Sequence, residues 1–330
     1  MQCTGASRMS DPVKVGFVGA GNLASLVHYP SLDEIEATDL RAISELDEDR
    51  LTATADQYDV HGRYTDYRQM LEREDLDAVY VVMPPHLLHD IVIDCLQAGK
   101  HVFIEKPPGV STYETEAFAW YAEQHGCLTM TGFNRRFIPL LRHCKSVVEA
   151  AGPIHMAAAR FHKFDTWPDQ YGFYRGSVSH LNSDIVHAID ALRFLAGGEV
   201  VEVNAHTRAL GRPYMNVHAA LIEFSTGCSG VLLASRRAGA RRHTFEVHGG
   251  DVSAYWEDGV EGMIYRDDST TPEVVRGADL VGDVRHRVSG FQAESRHFMD
   301  CIQAGAQPLT NFAEAAKTMR LVDQIAADVR

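Results

Sequence analysis

Four stretches of the chain place reactive side chains at spacings that chemistry can use. Positions 13–18 form an apolar run that leads into Gly19-Ala20-Gly21-Asn22-Leu23-Ala24, a GxGxxA spacing. The first glycine permits a tight turn and the second lets backbone approach a pyrophosphate, while the next helix aims its first amides at it. A strand before this pattern and a helix after it are the context that dinucleotide binding requires. Glu45 ends the second predicted strand, where a carboxylate accepts hydrogen bonds from an adenosine ribose diol. The next four residues are Leu46, Asp47, Glu48 and Asp49. Their charge repels a 2′-phosphate and no arginine stands between Glu45 and Arg50, so the pattern favours NAD over NADP.

Glu105-Lys106-Pro107-Pro108 closes the fourth predicted strand. A lysine at the carboxyl edge of a parallel sheet stands where ligands bind. Its ammonium could orient a ribose or substrate hydroxyl, or stabilise a developing alkoxide; a solvated surface lysine would look the same in isolation. Further on, Asp184 and His187 stand at i, i+3 in Ser183-Asp184-Ile185-Val186-His187, which on an α-helix is one face. A carboxylate beside an imidazole makes a proton-transfer pair near neutral pH. The chain has 17 histidines, so an ordinary packed one is the competing reading.

The elements that must hold these groups change character near residue 134. Before it, strands at 13–18, 40–44, 78–83, 101–104 and 129–132 alternate with helical stretches to about 36, at 47–58, 87–98 and 112–125. That alternation predicts a doubly wound parallel sheet. After it, strand-like runs at 154–162, 200–210, 217–224, 230–235 and 244–248 follow one another with turn signals between them and few helices. They predict a large, open, mostly antiparallel sheet beside one strong helix at 183–195, with a helical tail from 292 to 330. The fold class is α/β. The expected division is a disordered lead-in at 1–10, a dinucleotide-binding domain at 11–134, and a substrate and oligomerisation domain at 135–330. The last helix is expected to pack back on the first domain.

Composition narrows the function classes. The chain has 330 residues, 45% hydrophobic and 23% charged, with a formal net charge of −14. An excess of negative charge repels phosphate backbones and anionic lipid surfaces, which argues against nucleic-acid and membrane partners. The six cysteines are scattered, with no CxxC pair. They suit neither a zinc site nor a disulfide framework, so no metal is expected and a reducing, cytoplasmic setting is.

Taken together, GAGNLA, the strand-end acid, EKP, the segment Gly132-Phe133-Asn134-Arg135-Arg136-Phe137 and SDIVHAIDALRFLAGG resemble the Gfo/Idh/MocA oxidoreductase family, as does the tail from His297 to Ile325. The resemblance covers nearly the whole chain. It implies an NAD-dependent dehydrogenase or reductase acting on a secondary alcohol or ketone of a sugar, cyclitol or related polyol, and a homodimer or homotetramer built through the second sheet. It implies Lys106 and His187 as catalytic groups, with Asp184 as partner, and Gly19, Ala20, Gly21, Asn22, Leu23, Glu45, Met83, Pro84, Glu105, Lys106 and Asn134 around the cofactor. Lys163, Tyr174, Arg175 and Asn182 are candidate substrate contacts. The family's commonest motif has an aspartate four residues before the histidine; here that position is Ser183, and Asp184 follows. An NAD-using glycosidase and a non-catalytic NAD(H)-binding protein are the alternatives on the same fold.

Overall fold

The computed structural model describes residues 11–164 and 178–327. Strands β1 (Val13–Val18), β2 (Thr38–Ser44), β3 (Gly62–Tyr64), β4 (Ala78–Val81), β5 (His101–Glu105) and β6 (Thr129–Gly132) form the first sheet. Its order is β3-β2-β1-β4-β5-β6, and every pairing is parallel. Parallel strands need helical crossovers, which cover both faces. These are α1 (Tyr29–Asp33), α2 (Glu48–Gln57), α3 (Tyr67–Arg73), α4 (Leu88–Gln97) and α5 (Thr112–Gln124). Side chains alternate accordingly. Val15, Phe17, Tyr80 and Phe103 point into one core, while Val79, Val81, Val102 and Ile104 point into the other.

The second sheet contains β7 (Ile154–Phe164), β8 (Val200–Arg208), β9 (Val217–Phe224), β10 (Ser229–Ser235), β11 (Arg237–Gly249), β12 (Val252–Glu257), β13 (Glu261–Arg266) and β14 (Glu273–Arg276). Its order is β14-β13-β12-β11-β7-β10-β9-β8. Only β7 and β10 pair in parallel. Helices α6 (Pro139–Ala151) and α7 (Val186–Ala196) cover one face. The short helices α8 (Gly277–Val281) and α9 (Arg285–Val288) lead into α10 (Phe291–Ala304) and α11 (Phe312–Ala327).

The two-sheet reading stands, with local corrections. The second half is not poor in helices, since α6 lies where none was expected. Pro139 at its start and buried Leu140, Leu141, Cys144 and Val148 along one side are the signals for it. Strands β3 and β12 to β14 and helix α3 are further elements that pattern alone did not yield, and β11 runs well beyond 244–248. The tail is two helices, broken at Gly305, whose φ of +64° closes α10.

Helix α7 positions chemistry by being enclosed. All but one of its residues are buried, His187 and Asp190 among them. A polar group inside such a helix must be hydrogen-bonded or functional. Asp190 is the first kind: its carboxylate takes Arg136 Nε at 2.7 Å and Nη2 at 2.6 Å.

Candidate active site

The glycine turn has the geometry its spacing implied. Gly19 has φ +104°, and a Cβ there would meet the Val82 carbonyl oxygen at 2.5 Å. Gly21 differs: a Cβ there would meet nothing within 4 Å, so the space above its backbone is open. The helix that follows is continuous through residues 22–33, with a π turn at Ala24–His28. Glu45 is pinned at this turn, accepting from the Ala20 amide at 2.8 Å and the Asp47 amide at 3.1 Å. Arg50 turns back on it, 3.3 Å from Oε1.

A cleft of about 410 Å³ opens beside the turn, between the two halves of the molecule. Gly21, Asn22, Leu23, Met83, Pro84, Glu105, Lys106 and Asp184 line it, together with Ser183. Gly19 and Ala20 form the turn behind this wall. Lys106 reaches from the end of β5 across to the second half, where its ammonium donates to the Ser183 carbonyl at 3.1 Å. That carbonyl belongs to a second π turn, Leu181–Ile185, which runs straight into α7.

The π turn corrects one expectation. Asp184 and His187 are three apart, but a π turn closes on i→i+5 rather than i→i+4, and no hydrogen bond joins the two. Asp184 instead accepts from Lys163 Nζ at 2.6 and 2.7 Å and from Arg236. Burial works against its ionisation, but Lys163, Lys106 and Arg236 outweigh that and hold the carboxyl at about 2. Burial brings the Lys163 ammonium down to about 8, with Asp184 opposing and Arg241 and Arg236 assisting.

His187 is 8% exposed, and its Nδ1 is buried without a hydrogen-bond partner. Burial, followed by the charges of Arg135 and Lys106, drives its pKa well below the ordinary imidazole value. The ring is therefore neutral at physiological pH and able to accept a proton. Behind it, Arg135 pairs with Asp258 at 2.9 Å and meets His243 Nδ1 at 3.2 Å.

Three other candidates are held by neighbouring groups. Asn134 is outside the cleft lining; it opens the 3-10 turn Asn134–Phe137 and donates to the Ser289 carbonyl at 2.8 Å. Asn182 is bound to Ser179, whose hydroxyl donates to its Oδ1 at 2.7 Å. Glu105 borders the cleft, but its carboxylate turns inward to His28 Nε2 at 2.9 Å and the Lys106 amide at 3.0 Å. Tyr174 and Arg175 lie outside the described residues.

Glu105 and His28 share a buried cluster with Glu294, their ligand atoms all within 4.8 Å of one another. Glu294 is fully buried with neither oxygen hydrogen-bonded, and burial followed by the Glu105 charge raises its pKa well above normal. The native state thus holds this proton more tightly than the unfolded chain does, so stability falls as pH rises from the ordinary carboxyl value to the raised one. Glu294→Gln removes that loss. Its advantage in Tm over wild type should be small near pH 5 and grow toward pH 8, by at most about 1.4 kcal/mol per pH unit. A Tm difference that is constant from pH 5 to 8 contradicts the assignment.

Comparison with known proteins gives the site its context. Residues 13–133 match the model of the oxidoreductase family with an NAD-binding Rossmann fold, and residues 142–255 match the GFO/IDH/MocA C-terminal domain. The chain belongs to the Gfo/Idh/MocA family. Myo-inositol 2-dehydrogenase of Thermotoga maritima is 30% identical over 68% of this chain and 69% of its own length. The NAD(+) scyllo-inositol 2-dehydrogenase of Bacillus subtilis is 26% identical over 97% of this chain and 94% of its own length. The crystal structure of a dehydrogenase from Chromobacterium violaceum superposes with a TM-score of 0.87 at 20% identity, covering 96% of this chain and 95% of that one. Relatives named for NAD(+) and for NADP(+) both occur. This member of the family is an oxidoreductase with an NAD(P)-binding Rossmann domain.

Sequence reasoning quoted Arg135 only within the segment that carries the resemblance, and it missed Arg236, His243 and Asp258. Their approach depends on strand register: His243 lies opposite Phe161 on β7 and stacks on it with ring centroids 3.6 Å apart. No local spacing encodes such a pairing.

Proposed function

We propose that the chain interconverts a secondary alcohol and a ketone on a sugar, cyclitol or related polyol, using NAD. The observation that carries this is one cleft lined by Gly21, Lys106 and Asp184, with the neutral imidazole of His187 close enough to feel the Lys106 charge. The names of the inositol dehydrogenases among its relatives support the substrate class. The glycine turn suits a dinucleotide, since the open space at Gly21 leaves room for a pyrophosphate. When bound, NAD supplies the acceptor or donor of hydride.

The protein's part is proton handling and orientation. His187 takes the hydroxyl proton as the carbinol carbon loses hydride, and returns it in the reverse direction. Its lowered pKa keeps the base form available below neutral pH. Lys106 holds the same oxygen and stabilises its developing negative charge. Asp184 is a positioning residue that keeps Lys163 and Arg236 in place. Glu45, anchored by two backbone amides, meets no cation but Arg50 among the described residues, which supports NAD over NADP.

We further assign residues 11–134 to cofactor binding and 135–330 to substrate binding and assembly. The outward side of the second sheet exposes Leu221, Leu233 and Met263, which supports a homodimer or homotetramer formed through it. The five described cysteines are free, which fits a cytoplasmic setting. No described helix is long and apolar enough to cross a membrane.

The test is NADH formation across inositols, aldoses, alditols and sugar acids, repeated with NADP. The expected result is turnover of at least one polyhydroxy compound, with kcat/KM at least tenfold higher for NAD. Tight NADH binding without turnover of any compound would overturn the enzymatic reading.

A further inference from the structure

The charges around Asp184 do not balance. Lys163 stands on β7, Arg241 on β11 and Arg236 between β10 and β11, while Lys106 comes in from the first sheet. Asp184 is the carboxylate that answers them, paired with Lys163 and Arg236 together. Arg135 is matched separately by Asp258. His187 and His243 add no charge, since both imidazole pKa values are lowered, His243 to about 4. The described residues here therefore carry four cations, Lys106, Lys163, Arg236 and Arg241, against Asp184 and the inward-turned Glu105, within a chain whose net charge is −14.

Such a concentration of cations is costly without a counterion. Arg236 is 8% exposed, and its Nε is buried with no hydrogen-bond partner. Removing a guanidinium from water and leaving a donor unpaired costs free energy that Asp184 alone offsets only in part. Arg241 is exposed and makes no ion pair among the described residues, yet its charge is felt at both Lys163 and Asp258. The glycine turn lies on the first sheet, so a dinucleotide pyrophosphate seated there does not answer cations on the second. Lys163 and Arg236 stand directly behind Asp184, which lines the cleft, and lysine and arginine together suit carboxylate or phosphate oxygens.

We propose that the hydroxylated substrate of this cleft carries an anionic group, a carboxylate or a phosphate ester, seated against Lys163, Arg236 and Arg241. The proposal rests on the hydride-transfer reading for the substrate's hydroxyl and adds the charged group beside it.

The test uses the full chain loaded with NADH, at constant ionic strength, and compares matched probes. D-gluconate is set against D-glucitol, and D-glucose 6-phosphate against D-glucose, by calorimetric titration. Either anion should bind at least tenfold more tightly than its neutral counterpart, and the pair that shows the larger ratio tells carboxylate from phosphate. Arg241→Gln should cut that ratio fivefold or more, and Arg241→Lys should restore most of it. Equal affinities, absence of binding by both anions, or a ratio indifferent to Arg241 overturns the proposal. Kinetics with NAD separate the two readings. Neutral polyols oxidised as efficiently as acids would leave the dehydrogenase reading intact and sink this one. Anions that bind selectively without forming NADH would do the reverse.

Discussion

Lys106→Met should lower kcat by about 10²–10³-fold, the loss typical of removing one preorganised donor to a developing oxyanion. The folded state should survive. The Lys106 side chain is only partly buried, and its one hydrogen bond among the described residues goes to the Ser183 carbonyl, which lines the cleft. NADH affinity, read by fluorescence, should fall less than tenfold, because the glycine turn and Glu45 do not depend on the ammonium. Steady-state kinetics and a thermal melt together decide the matter. A variant with kcat within tenfold of wild type, or one whose loss follows a fall in Tm, would remove Lys106 from the reacting oxygen.

Asp190→Leu should cost about 3–5 kcal/mol of stability, the penalty for leaving one partner of a buried ion pair uncompensated. Asp190 is 1% exposed and accepts from Arg136 twice and from Thr318 Oγ1 at 2.8 Å. Thr318 also receives Arg193 at 2.7 Å, and Glu314 meets Arg136 at 3.2 Å and Arg193 at 3.0 Å. Removing one of two carboxylates leaves two guanidinium groups sharing the other. In a chain of this length that loss corresponds to a fall in Tm of about 5 °C or more. The double variant Arg136→Met/Asp190→Leu takes out both charges and should recover at least half of it. If the double variant is no better than the single one, Asp190 acts through packing and not through charge.

What could be read from the chain beforehand follows from what kind of signal each residue has. Gly19, Glu45 and Lys106 sit at strand ends, where a local pattern of apolar run and turn marks the carboxyl edge of a parallel sheet. His187 stands on an apolar helix in which a polar residue is conspicuous. Asp184 was visible as a residue but misplaced, because helical spacing rules assume 3.6 residues per turn and the Leu181–Ile185 turn does not obey them. Arg236 and Asp258 had no local signal; only the register of β7, β10, β11 and β12 brings them near. Helix α6 and the alternating β12, buried at every second residue, were within reach of pattern reasoning. Asn134 stands at a joint between the two units, and its amide is held by the Ser289 carbonyl.

Helix α11 touches both halves of the molecule. It packs on α5 of the first and on α7 and β8 of the second. Thr112 Oγ1 donates to Asp323 at 2.5 Å, and Arg320 reaches Glu116 at 2.7 Å. A rod fastened at both ends sets the separation of what it joins. A swing of one half against the other must first break these fastenings. Side chains and short turns around the cleft can rearrange without that cost, and they move far faster than whole domains.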